Sequence, residues 1–520
     1  MNFNDSERAR TELDRAIKSG DADKIARAAM DNIWPLYSDD GALLVEAVAG
    51  LPTAVLERFP ALQLLHPMTP VLARTTQPFK PLVYPDRARA MTPDELDVTT
   101  LVQMVAFRIS GDVAAAMIYA HRLSERVVHA RKDSGGRADG PLWFYHQQIG
   151  STLLAAGDSA GALMEFSTAR QLGKFSKQPD AERLAQGRTA LAHVLRGSLD
   201  AADTALKNAR ACAPATTAHI ASALMSERTV DALIGVDRVS DDLEDRLAKL
   251  ESYDSVELTW PFALLARARA AMHQQRPEDA YEAVRLASDA HPVQHGSYAS
   301  DVIAAMSIKA LLAMGDVPRA RRIAELNGKS GLLTDLATAR VALIEGNFTE
   351  AGARLRRLEN DQRCGPAQRT EALLLAGWLE MASTATIDRE SVLHIVRLAK
   401  NRDNRRLFGT MPRQLIECVH ERLSGMAADD FAKATQHLAN FELRARPTLT
   451  RSEQRVLNAL AAYDTTAEIA AAFHVSPNTV KTQLKSLYRK LGCSTRDEAM
   501  KVGSRLHLVH GESELVRERV

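Results

Sequence analysis

A glycine followed five residues later by an alanine recurs along most of this chain. The pairs are Gly111/Ala116, Gly157/Ala162, Gly197/Ala202, Gly315/Ala320 and Gly346/Ala351. Gly235 and Gln275 (with Ala280) fill the vacant slots, so successive marks lie 46, 40, 38, 40, 40 and 31 residues apart. Each mark separates two stretches of helical periodicity. Trp143 to Ala155 reads as a helix, Ala156-Gly157-Asp158 as a turn, and Ser159 to Leu172 as a second helix. Glycine can end a helix in the left-handed conformation, Asp or Ser can start the next, and alanine lets two helices approach closely. The pattern predicts a helical hairpin repeated roughly every forty residues. One hairpin cannot bury its apolar face alone, so the units should stack into a solenoid.

The rest of the composition agrees with an all-α chain. At 520 residues it is too long for one core, and at least two folding units follow. Aromatic residues are scarce at 5%, and alanine is abundant, which favours close helix packing. Cys212, Cys364, Cys418 and Cys493 are far apart and form no zinc spacing, as reduced thiols of a cytoplasmic protein would be. No N-terminal apolar stretch suggests a signal peptide and no apolar run is long enough to span a membrane, so a cytoplasmic location is expected.

Catalysis, a metal and a cofactor are not expected. The chain shows no Ser/His/Asp, Cys/His or HExxH pattern. Asp241, Asp242, Glu244 and Asp245 read as a solvated helix face rather than a metal site. Gly135 to Gly140 has the spacing of a phosphate loop, but Pro141-Leu142 follows it, so it reads as a surface loop. Trp143-Phe144-Tyr145-His146, Trp260, Phe262 and Trp378 are positions that a concave solenoid face could present to a ligand. They read first as helix-packing core.

The N-terminal region should hold a hairpin over Asp5–Lys18 and Ala22–Ile33, then two short helices separated by Gly50 and Pro52. From Pro60 to Pro93 the prolines crowd, and an extended segment or loop is expected. The expected division is a helical region at 1–95, the repeats at 96–441, a linker at 442–447 and a last domain at 448–510.

That last domain has helix signals in order. Thr450 with Glu453, and Thr465 with Glu468, form capping boxes. Val456, Leu457 and Leu460 make an apolar stripe on the first helix, and Ile469, Ala470 and Phe473 make one on a short second helix over Glu468–His474. Ser476 is an N-cap and Pro477 suits the first helical position, so a third helix runs from Pro477 to about Leu491, ended by Gly492. Val480, Leu484, Leu487 and Leu491 share one face of it, while Asn478, Lys481, Thr482, Lys485 and Arg489 share the other. Thr495 opens a fourth helix, with Ala499, Val502 and Leu506 along one side. From Arg446 to His510 there are ten Lys plus Arg and five Asp plus Glu, a net of +5 in a chain of net +1. A packing face opposite a basic face suits a reader of the DNA major groove, and phosphate contacts need the charge.

Residues 449–508 resemble the LuxR-type (GerE-type) helix-turn-helix. The resemblance rests on Leu449-Thr-Arg-Ser-Glu, Glu468-Ile-Ala, Val475-Ser-Pro-Asn-Thr-Val-Lys-Thr and Arg489-Lys-Leu-Gly. It implies that Lys481, Thr482 and Lys485 face base edges, that Thr479 and its neighbours approach the backbone, and that the fourth helix mediates a homodimer on DNA. Tyr463-Asp464 stands where the family usually has a glycine turn. Gln483, also counted among the DNA-facing residues, stands where the family often has His, which bears on the operator read. The unit with Gly150, Gly157, Ala162, Phe166 and Ala169 resembles a tetratricopeptide repeat, and the region as a whole resembles the divergent repeats of MalT-like regulators. Large members of that group carry a P-loop, and no GxxxxGK[ST] occurs here. The expected function is a transcription regulator that binds double-stranded operator DNA, with repeats that sense a small molecule or a protein. The alternative is a repeat scaffold for protein partners with DNA binding weak or lost. The basic face favours the first.

Overall fold

The computed structural model describes residues 3–65, 89, 91–133, 142–176, 178, 180–215, 219–250, 258–291, 293, 295–327, 331–442, 449–491, 493–505 and 508. The proline-rich stretch from Pro67 to Pro85, the Gly135–Gly140 loop, linker residues 443–447, Gly492, Leu506 and His510 lie outside them. Among the described residues all regular structure is helical, apart from a lone bridge between Pro412 and Phe441. The chain divides into two compact units, Met1–Lys309 with Pro318–Phe441, and Ala310–Val317 with Glu442–Val520.

The first unit begins with short helices, Phe3–Ser19, Ala22–Asp31, Ile33–Asp39, Gly41–Ala49, Thr53–Leu56 and Pro60–Leu65. Asn32 divides what the periodicity reads as one helix ending at Ile33: its amide donates to Glu12 and to the Ala28 carbonyl, and Ile33 starts the next helix. Leu13, Leu36, Leu44 and Leu62 form a core shared with Val98 and Val102. Those last two lie on the helix Pro93–Ile109, which a Thr92/Glu95 capping box starts. That helix runs through the expected boundary at residue 95.

Hairpins follow: Pro93–Ile109 with Val113–Asp133, Leu142–Ala155 with Ser159–Gly173, Ala181–Arg196 with Leu199–Ala211, Trp260–His273 with Pro277–Ala290, and Leu332–Ile344 with Phe348–Glu359. The glycine marks have a physical cause. Gly111, Gly157, Gly197, Gly315 and Gly346 all stand at φ between 75° and 84°. Behind them the same hydrogen bond recurs: Asp112, Asp158, Ser198 and Asn347 donate their N–H to the carbonyls of Phe107, Leu153, His193 and Ala342. This is the six-residue closure of a helix whose last residue turns left-handed. The partner alanines 116, 162, 202, 280, 320 and 351 have no exposed surface.

One mark is displaced. Gly235 lies inside the helix Ile220–Arg238, and the left-handed residue is Val239 at φ 55°. Ser240 N–H closes that turn on the Gly235 carbonyl. Gly235 serves a different need, since a Cβ there would stand 2.7 Å from Cδ of Arg246. Gln275, the other substitute, is left-handed at φ 59° as its slot requires.

In an open solenoid each repeat touches only its neighbours. Here the stack curls back on itself. Gln368 Nε2 donates to the Leu195 carbonyl at 2.9 Å, across 173 residues. A Cβ on Gly365 would come within 2.7 Å of the Arg196 carbonyl oxygen, so this closure needs a glycine. Around it lies a buried ionic network. Asp237 accepts from Arg269 at 3.2 Å and from Arg406. Glu371 accepts from Lys309 at 2.7 Å and from Arg340 at 3.4 Å. Burial alone would raise the Glu371 carboxyl, but Lys309 and Arg340 outweigh it and hold it at about 2. Burial pushes Lys309 down to about 8.

The aromatic cluster is core, as expected. Trp143, Tyr145 and His146 are buried, and Trp34 meets Tyr145 edge-on at 5.5 Å. Tyr37 reaches His219 Nε2 at 2.7 Å, with Asp180 on the other ring nitrogen at 2.9 Å. Phe262 and Trp378 are also buried. Trp260 stacks on His291 at 4.0 Å. Asp241, Asp242, Glu244 and Asp245 are exposed, and Asp242 pairs with Arg246.

Candidate nucleic-acid interface

Four helices make the site: Arg451–Ala462, Thr466–Phe473, Pro477–Leu491 and Arg496–Arg505. Each begins at a cap read from sequence. Thr450 Oγ1 accepts from Glu453 N–H, and Glu453 Oε2 accepts from Thr450 N–H at 2.7 Å. Thr465 and Glu468 repeat the box, so the second helix starts at Thr466, two residues before the expected Glu468. Ser476 Oγ accepts from Thr479 N–H at 3.1 Å, and Thr495 Oγ1 from Glu498 N–H at 3.2 Å.

The core is the set of apolar stripes. Val456, Leu457, Leu460, Ile469, Ala470, Val480, Leu484, Leu487, Leu491 and Ala499 are buried together. Phe473 packs at the edge, under the guanidinium of Arg455 at 4.4 Å from the ring centre. Cys493 packs on this core, and burial raises its thiol.

The second helix ends at Phe473, and His474 turns left-handed at φ 55°. Val475 N–H closes that turn on the Ala470 carbonyl, the same closure used in the repeats. Ser476 then starts the third helix. The turn between the first and second helices needs no glycine, because Tyr463 is extended at φ −129°. Arg496, from the fourth helix, closes it instead. Its guanidinium donates to the carbonyls of Leu460 at 2.5 Å, Asp464 at 2.8 Å and Tyr463. These are carbonyls that a helix end leaves without partners. No local pattern in the sequence marks Arg496 for this task, since its partners lie more than thirty residues away.

The third helix presents its predicted polar face. Asn478, Thr479, Lys481, Thr482, Lys485 and Arg489 are exposed, and Gln483 is half-buried at the flank. Lys481, Lys485 and Arg489 follow at four-residue steps and make no ion pair with any described residue. Like charges at that spacing cost an isolated helix roughly 0.2–0.5 kcal/mol per pair. Thr482 Oγ1 donates to the Asn478 carbonyl at 2.9 Å, leaving its lone pairs outward. Thr479 and Ser476 hydroxyls meet at 2.8 Å beside the helix start.

Lys490 is not part of that row. Its Nζ sits 2.7 Å from Oε2 of Glu453, and Ser486 Oγ donates to Oε1 at 2.7 Å. Glu453 is 5% exposed. One carboxylate therefore caps the first helix and fastens the third helix to it. Burial would raise that carboxyl, but Lys490, the Thr450 N–H and Ser486 hold it at about 2.

Residues 447–502 match the family described as "Bacterial regulatory proteins, luxR family". The segment is a LuxR-type helix-turn-helix domain. Two curated proteins, both described as "Probable transcriptional regulatory protein NarL" and from two strains of Mycobacterium tuberculosis, are 41% identical over 63 residues. The match covers 12% of this chain and 29% of theirs. The repeats lie outside it.

Proposed function

We propose that the chain is a sequence-specific DNA-binding transcription regulator with no enzymatic role. The observation that carries this is the third helix of the LuxR-type domain. Its apolar face is packed, and its basic row is exposed and makes no ion pair among the described residues. Lys481, Thr482 and Lys485 read base edges in the major groove of double-stranded DNA, Gln483 beside them bears on which operator is read, and Asn478, Thr479 and Arg489 lie against the backbone. The chain acts as a homodimer on its operator, in the cytoplasm. No helix among the described residues is long and apolar enough to cross a membrane. We assign residues 448–510 to DNA binding, 442–447 to a linker, and 96–441 to sensing a small molecule or a protein partner, with 1–95 as an N-terminal helical region.

Replacing Lys485 with Ala should cost about 1–3 kcal/mol of discrimination between operator and unrelated DNA. Replacing Arg489 should weaken both about equally, because a phosphate contact carries no sequence information. Competition binding with the two variants checks this. Unchanged operator preference in Lys485→Ala would remove its reading role.

A further inference from the structure

The buried network that holds the curled repeats together carries more positive charge than negative. Among the described residues it joins Arg269, Lys309, Arg340 and Arg406 to Asp237 and Glu371 alone. The four cations come from four helices, Trp260–His273, Tyr298–Ala313, Leu332–Ile344 and Arg405–Gly409. Burial lowers Arg269 and Arg340, and Arg406 lowers both further, so the two halves of the network form one electrostatic cluster. Lys309, at about 8, keeps its proton at neutral pH. Two positive charges are therefore left over, inside a stretch (residues 1–445) whose own net charge is −3.

Hydrogen-bond donors are left over too. Arg340 is 2% exposed, and its Nε is buried with no acceptor. Its terminal nitrogens hold the carbonyl and hydroxyl of Thr410, and the contact of Nη2 with Glu371 Oε1 is long at 3.4 Å. Lys309 shares that same oxygen at 2.7 Å and has no other acceptor among the described residues. Arg406 spends only its Nε, on Asp237. A buried cation short of acceptors is costly, and an anion would satisfy it. Solvent reaches the cluster at Lys309 and Arg269, whose side chains are 14% and 11% exposed.

We propose that this cluster binds a phosphate dianion, free or as a small monoester, seated against the Nε edge of Arg340 and the ammonium of Lys309. A guanidinium edge and an ammonium match phosphate oxygens in geometry, and two negative charges cancel the excess. The inference gives a ligand class to the sensing role proposed for residues 96–441 and rests on that reading for its use. Occupancy is measured without DNA, so loss of either claim leaves the other distinguishable.

Calorimetric titration of the full-length chain in phosphate-free buffer at constant ionic strength tests it, with inorganic phosphate, methyl phosphate and chloride as probes. A phosphate species should bind with saturable heat and raise the melting temperature, and chloride should do neither. The tighter of the two phosphate species identifies the source as free ion or monoester. Lys309→Met should weaken binding roughly tenfold, since it removes a charged donor. Glu371→Gln removes the carboxylate that competes for the same donors, so it should shift affinity the other way. Circular dichroism verifies each fold, and Arg269→Met reads the same loss of charge if Lys309→Met does not fold. Absence of saturable binding of both phosphate species, equal binding of chloride, or unchanged affinity in the folded cation variant would overturn the proposal.

Discussion

Replacing Glu371 with Gln should destabilise the repeat unit by about 3–5 kcal/mol, the cost of leaving a buried charge without its partner. Glu371 is 4% exposed and is the shared acceptor for Lys309 and Arg340. Arg340 is itself 2% exposed and lies near the rings of Trp378 and Phe441, at 5.7 and 5.8 Å. Removing Lys309 as well should recover part of the loss, because Glu371→Gln with Lys309→Met leaves one fewer buried charge unpaired. Urea unfolding of the full chain, followed by tryptophan fluorescence, reads this directly, since Trp378 lies beside the network. A cost below about 1 kcal/mol in the single variant would mean the network does not hold the curled stack.

Acid should release the DNA-binding domain before neutral-pH reasoning would suggest. Glu453 is held at about 2 in the fold, against an ordinary 4.5. A carboxyl with a lowered folded-state value contributes stability that is fully present above about 4.5. That stability is lost as the pH falls from there toward about 2. Replacing Glu453 with Ala removes it at every pH, and also leaves the Thr450 N–H uncapped and Lys490 unpaired. Residues 446–520 carry their own caps and core, so this fragment can be followed alone by circular dichroism. The wild-type fragment should lose urea resistance across that acid window, and Glu453→Ala should be weak throughout and flat across it. A variant as pH-sensitive as the wild type would assign the effect to another carboxylate.

What could be read from residues depended on range. Caps act within three residues, so Thr450, Thr465, Ser476 and Thr495 were all legible. The third helix was legible for the same reason: its two faces are set by local periodicity, and Val480 to Leu491 are buried as the spacing predicts. The hairpin turns were legible where glycine marks the left-handed residue. At Val239 the same conformation is held by a β-branched residue, and the nearby Gly235 misdirects the eye because close packing also calls for glycine. Long-range pairings were hidden. Nothing near Arg496 announces that it closes a turn at Leu460–Asp464, and nothing near Lys490 separates it from Arg489 as a partner for Glu453. The curl of the repeats rests on Gln368, Gly365 and Glu371, whose partners lie 31 to 173 residues away. Repeat spacing alone implies stacking but carries no information about closure.

The central claim is that the basic row of the third helix reads DNA sequence. Its most direct test is selection of bound fragments from genomic DNA by the full-length chain, beside a variant with Lys481, Thr482 and Lys485 all replaced by Ala. These side chains are exposed, so the variant should fold as the wild type does. The wild type should enrich a small set of fragments sharing one motif, and the variant should enrich none of them. No enrichment by the wild type, or the same motif recovered by the variant, would contradict the account.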